Sequence, residues 1–178
     1  MSPDSPLASL PGAEPALGRI LSAWEGTPHR AGQSRCGRDG GVDCVHLVWA
    51  VVTEWRSALM WERDPPRSLP RIAQDAGMHS MRAVARSAAV MLRAFPALVI
   101  RDPIGSTLMC GDVLMIRVGA RPNHAAIVGP GGSDVWHAAS GPFGVGGAGA
   151  VVRSSLFDAR LRSAVRRAYR PIVRRSTR

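Results

Sequence analysis

The chain contains no lysine: all 23 of its basic residues are arginines. One consequence is chemical. The glycine-rich run from Gly141 to Gly149 lacks the Lys-Ser/Thr pair that completes a phosphate-cradling loop, so it reads as a cleft lip or a plain turn. Cysteine is also scarce. Cys36, Cys44 and Cys110 are the only three, and no two have CxxC spacing, so neither a zinc site nor a redox pair is indicated. At least one of the three must be unpaired. A bridge between Cys36 and Cys44 is conceivable, and Cys36 and Cys110 otherwise read as inert thiols. Aromatic residues make up 5% of the sequence, with a single tyrosine, and no nucleic-acid motif is present. Nucleic acid is therefore not expected as a partner. No apolar run is long enough to span a bilayer, and the start, Met1-Ser2-Pro3-Asp4, lacks the basic and apolar regions of an export signal. Membrane insertion is not expected, and synthesis in the cytoplasm is. No internal repeat is visible.

Charge of one sign is short as well: 13 acidic residues against 23 basic give a formal net charge of +10. The arginines crowd toward the end, at Arg160, Arg162, Arg166, Arg167, Arg170, Arg174, Arg175 and Arg178. Such a run is ordinarily a solvated face or a tail. It can also draw in anionic wall polymers or an acidic partner. A lysine-free chain rich in Ala, Gly and Pro reflects a GC-rich genome as readily as a selected surface.

What is present fits one domain. A chain of 178 residues, 46% of them hydrophobic, can bury a core without staples. Residues 1–14, rich in Pro, Ser and Ala, read as a flexible lead-in and 173–178 as a basic tail, with the domain at 15–172. A first helix is expected from Ala16 to Trp24. Residues 58–108 read as an insertion, a proline-bearing loop over 58–80 followed by a helix from Met81 to Leu92 with apolar residues at helical spacing. Apolar runs at Val113–Ile116, Asn123–Val128 and Val135–Ala138 read as strands, with Gly129-Pro130-Gly131-Gly132 turning between the last two. Val151-Val152 and Ala168-Tyr169 read as late strands flanking a short helix near 156–164. The fold class is α+β: helices first, then an antiparallel sheet, with a cleft between them.

The segment that carries chemistry is Gly41-Val42-Asp43-Cys44. Asp43 can cap a helix by accepting a free N–H of its first turn. Val45, Leu47, Val48, Trp49, Val51 and Val52 follow, apolar all round, as in a buried helix. Cys44 then sits at a helix N-terminus, where the dipole favours the thiolate. The preceding glycines, Gly37 to Gly41, can bring backbone close to a substrate. A nucleophilic cysteine needs a base, and the base needs a group to orient it. His124 and His137, presented on one face by neighbouring strands, can supply both. His46 points about 200° around the helix from Cys44 and reads as a packed or partly exposed residue.

In this order, Gly26-Thr27-Pro28-His29-Arg30, Gly41-Val42-Asp43-Cys44, Cys110-Gly111-Asp112-Val113-Leu114, Asn123-His124-Ala125-Ala126-Ile127-Val128 and Trp136-His137-Ala138 resemble the motifs of NlpC/p60 cysteine peptidases. These are small papain-like enzymes that cut bacterial cell-wall stem peptides. The likeness spans roughly residues 15–172. With the Gly-Thr-Pro start and a late Tyr169-Arg170-Pro171, it looks closest to forms encoded with phage tails and gene-transfer particles. The resemblance implies Cys44 as nucleophile, His124 as general base and His137 as orienter, with no metal and no cofactor. His29 stands where the family commonly has a tyrosine near the substrate. It either replaces that hydroxyl or caps a loop. His29 and Asp43 are the substrate-side candidates. Peptidoglycan stem peptides and phage-like tail proteins are the implied partners, and a particle would carry the enzyme to the wall. Two other readings stand beside this one: a tail-tip structural component with little activity, and a cysteine-dependent amidase or acyltransferase on another substrate.

Overall fold

The computed structural model describes residues 4–60, 97–118, 121–139 and 149–174. The helix expected over 81–92, most of the insertion and of the 141–149 loop, and the last four residues lie outside these.

Helix α1 (Ala13–Trp24) buries Ala13, Ala16, Leu17, Ile20, Leu21 and Trp24, a stripe one helical face wide. It starts one residue after Gly12, whose φ of 74° puts it in the left-handed region. The beginning is three residues earlier than the sequence reading because Pro15 falls in the first turn, where its missing N–H costs nothing. Helix α2 (Cys44–Met60) is buried on nearly every side in its first half, from Cys44 to Val48, and again at Val51, Val52 and Trp55. The Trp55 indole N–H donates to the Ala13 carbonyl at 2.7 Å and ties the two helices together.

The sheet is antiparallel. Its strands are β1 (Asp4–Pro6), β4 (Ala97–Ile100), β5 (Val113–Val118), β6 (Arg121–Val128), β7 (Asp134–Ala139), β8 (Ala150–Ser155) and β9 (Val165–Arg174). They run in the order β1-β9-β5-β6-β7-β8, with β4 also paired to β9. A small hairpin of β2 (Ser34–Arg35) and β3 (Gly41–Val42) stands beside it. Val113, Met115, Ala125, Ile127, Trp136, Ala138 and Val151 pack with α1 and α2. The alternating residues Leu114, Ile116, Ala126, Val128 and Val135 form a second core with Leu108, Leu156 and Leu161, the last from the short helix α3 (Ala159–Ala164). Alternation of strand side chains thus fills both faces. The α+β class expected from the sequence is the one observed.

Two segments differ from the sequence reading, and β9 itself runs to Arg174, two residues into the expected tail at 173–178. Residues 4–6 are not a loose lead-in: they pair with 172–174 of β9, and Leu7 is fully buried behind them. Residues 97–100, inside the expected loop and helix insertion, form β4 against 168–171. In each case the long β9 offers backbone partners that local sequence cannot reveal. Arg170 of β9 grips the fully buried Asp112 with Nε and Nη2, both at 2.8 Å, and Nη2 also donates to the Thr107 carbonyl. The Gly-Asp and Tyr-Arg-Pro motifs, far apart in sequence, are the two halves of this bidentate pair.

Candidate active site

Asp43 organises the start of α2. Its Oδ1 accepts the backbone N–H groups of Val45 and His46, both at 2.9 Å. Its Oδ2 accepts Gly32 N–H at 2.8 Å and meets His46 Nδ1 at 2.6 Å. Burial opposes the charge, but the His46 contacts and the N–H donors outweigh it and hold the carboxyl below its ordinary pKa. This is the cap the sequence indicated, and His46, at the third helical position, adds a side-chain contact to the same carboxylate. Both oxygens of Asp43 are thereby engaged inside the protein. His46 is buried rather than exposed.

Cys44 is the first residue of α2 and only 7% exposed. The helix-end effect anticipated from the sequence does not dominate its ionisation. Burial pushes the thiol up to about 12, and the Asp43 charge adds to that. N–H groups of Ala125, Cys44 and Val45 act in the opposite direction and offset only part of it. The thiol therefore rests protonated. Ala125, whose N–H reaches the Cys44 sulfur, directly follows His124 in β6. The hydrogen bonds of the described residues include none between the Cys44 sulfur and His124.

The two histidines meet. Strands β6 and β7 pair only at Ile127↔Trp136 and Val128↔Val135. Just past those pairs, His124 Nε2 lies 2.9 Å from His137 Nδ1, with the rings edge to face at 86° and their centroids 5.0 Å apart. Gly129 permits the turn between the strands to close on Trp136, for a Cβ there would stand 2.0 Å from the indole. His137 is fully buried. Its Nε2 lies 2.8 Å from Ser154 Oγ on β8. Burial lowers His124 to about 3, helped by His137 and His29, and lowers His137 to about 4. Both rings rest neutral.

The Gly26–Arg30 segment brings His29 into this group. Gly26 N–H donates to the Val151 carbonyl, Val151 N–H to that of Thr27, and His29 N–H to that of Gly149. On its other side Arg30 N–H donates to Val42 O and Val42 N–H to Pro28 O. His29 is thus held between the hairpin and β8, close enough to His124 to influence its charge. The glycines before Cys44 are needed by the protein itself. A Cβ on Gly40 would stand 2.0 Å from the Arg35 carbonyl oxygen, and one on Gly41 2.5 Å from the Arg30 side chain.

Cys36 is exposed and Cys110 half-buried, and neither forms a disulfide. Among the described residues no cluster of His, Cys, Asp and Glu could hold a metal ion, and no helix is long and apolar enough to cross a membrane. Ser154 was not singled out in the sequence. An alternating β8 reading that placed it two residues beyond Val152, the cross-strand partner of His137, is the signal that could have found it.

No family model and no curated protein matches the chain. Its structure is similar to that of a lipoprotein-like NLP/P60-family protein from Staphylococcus aureus subsp. aureus Mu50. The TM-score is 0.54 at 18% identity, over 95% of this chain. This chain spans 44% of that protein's length.

Proposed function

We propose that the chain is a cysteine peptidase of NlpC/p60 type that hydrolyses amide bonds in peptidoglycan stem peptides. The observation that carries this reading is the hydrogen-bonded His124–His137 pair, with Ala125, the residue after His124, giving its N–H to Cys44 at a capped helix N-terminus. The similarity of fold to an NLP/P60 protein supports it. Because thiol and imidazole rest neutral, the nucleophile forms as substrate binds. The Cys44 proton passes to His124 Nδ1 as sulfur bonds to the amide carbon. The Cys44 N–H, next to Val45 and His46 N–H groups already held by Asp43, is the backbone donor for the oxyanion. The C–N bond then breaks, and His124 returns the proton to the departing amine. Water attacks the thioester with His124 again as base and frees the acid and the Cys44 thiol.

His29 and Asp43 remain our substrate-side candidates. His29 lies close enough to His124 to act on a substrate bound there; Asp43 acts through the backbone it fixes. The Gly-Thr-Pro start and Tyr169-Arg170-Pro171 support a carrier resembling a phage tail, with the enzyme acting at the wall and tail proteins as partners. Digestion of purified peptidoglycan should release new amines in stem peptides, and Cys44→Ala should release none. Equal release by both proteins refutes the reading. Mass spectrometry of purified particles tests the carrier separately. A structural role with little turnover is favoured by one observation, the near-complete burial of the Cys44 thiol; amine release excludes it.

A further inference from the structure

We propose that Ser154 is a positioning residue whose hydroxyl, acting through His137, sets which nitrogen of His124 carries the proton. The proposal rests on the peptidase reading above. His124, His137 and Ser154 form one line: His124 Nε2 to His137 Nδ1 at 2.9 Å, and His137 Nε2 to Ser154 Oγ at 2.8 Å. Register fixes this arrangement. His137 pairs with Val152 across β7 and β8, and Ser154, two residues on, stands on the same face.

A line of two neutral imidazoles and a hydroxyl has two proton arrangements. In one, His124 Nε2–H donates to His137 Nδ1, and His137 Nε2–H donates to Ser154 Oγ. His124 Nδ1 is then bare and can take the Cys44 proton. In the other, every proton is reversed: Ser154 donates to His137, His137 Nδ1–H donates to His124 Nε2, and His124 Nδ1 already holds a proton. That form is not a base toward sulfur. When Nδ1 does accept the Cys44 proton, His124 becomes an imidazolium whose Nε2–H must find an acceptor. Only the first arrangement supplies one, and it requires Ser154 as the terminal acceptor. His137 is fully buried, so no bulk water can take that place freely. Without the hydroxyl, His137 Nε2–H has no partner, and the His137 proton moves to Nδ1. The active tautomer is lost while Cys44, His124 and His137 all remain.

The test uses the full chain with ¹⁵N-labelled histidine and has two readouts. Nitrogen chemical shifts at neutral pH should show His124 and His137 each protonated on Nε2 in the wild type and in Ser154→Thr. In Ser154→Ala, His137 should carry its proton on Nδ1. In parallel, kcat on wall fragments should fall roughly tenfold or more in Ser154→Ala, because the active tautomer becomes the minor one. KM should be nearly unchanged, and Ser154→Thr should restore most of the rate. Wild-type spectra with His137 protonated on Nδ1 overturn the proposal without any variant. So do unchanged tautomers and rate in Ser154→Ala. If the wild type hydrolyses nothing, the peptidase reading fails, and the spectra still decide the proton arrangement.

Discussion

Acid should destabilise this protein through its buried histidines, and His124 gives the amount. Its imidazole has an ordinary pKa of 6.5 in the unfolded chain and about 3 in the folded one. A depressed histidine contributes stability that is full above 6.5 and is lost as pH falls toward 3, because the unfolded state binds the proton first. At pH 4.5 the folded imidazole is still neutral while the unfolded one has been protonated across two pH units. Each unit is worth about 1.4 kcal/mol, so His124 alone removes about 3 kcal/mol between pH 7.5 and 4.5. That is a large share of a typical domain's margin of about 5–15 kcal/mol. Urea unfolding of wild type and His124→Gln at the two pH values isolates the effect. Carboxylates titrate in both proteins and cancel in the comparison. The wild type should lose about 3 kcal/mol more than the variant on acidification. Parallel losses would mean that His124 is not buried neutral, and the description of the site would be wrong.

Three further outcomes follow from the geometry. Arg170→Leu strands the buried Asp112 carboxylate and should cost about 3 kcal/mol, or a Tm drop of about 6–12 °C by scanning calorimetry. Gly111→Ala places a Cβ 2.3 Å from the Trp55 ring at a φ of 80°, and should destabilise by about 2–4 kcal/mol in urea. Limiting iodoacetamide without substrate should label Cys36, which is exposed and so not the inert thiol expected from sequence, before the buried Cys44, read by peptide mass spectrometry.

Local pattern carried much of the fold. The strands around His124 and His137 and the cap at Asp43 announce themselves through alternation, turn glycines and helix-start chemistry, and each lies within about three residues of its expected bounds. What stayed hidden was long-range. Asp4–Pro6 and Ala97–Ile100 become strands only because β9 is present to pair with them. The Tyr169-Arg170-Pro171 motif does not say which group Arg170 meets, because Asp112 lies far away in sequence, and Ser154 has no signature apart from its register with His137. The thiol is the most instructive case. Helix position alone favours a thiolate at Cys44, whereas the depth of burial, which sequence does not quantify, raises its pKa.

A cysteine peptidase of this kind works through a covalent acyl intermediate on Cys44. The most direct test is rapid quenching of the enzyme in acid during turnover of stem-peptide fragments, followed by peptide mass spectrometry. A thioester adduct on the Cys44 peptide that disappears when substrate is exhausted is expected, with neither adduct nor amine release in Cys44→Ala. Undiminished hydrolysis by Cys44→Ala would contradict this mechanism.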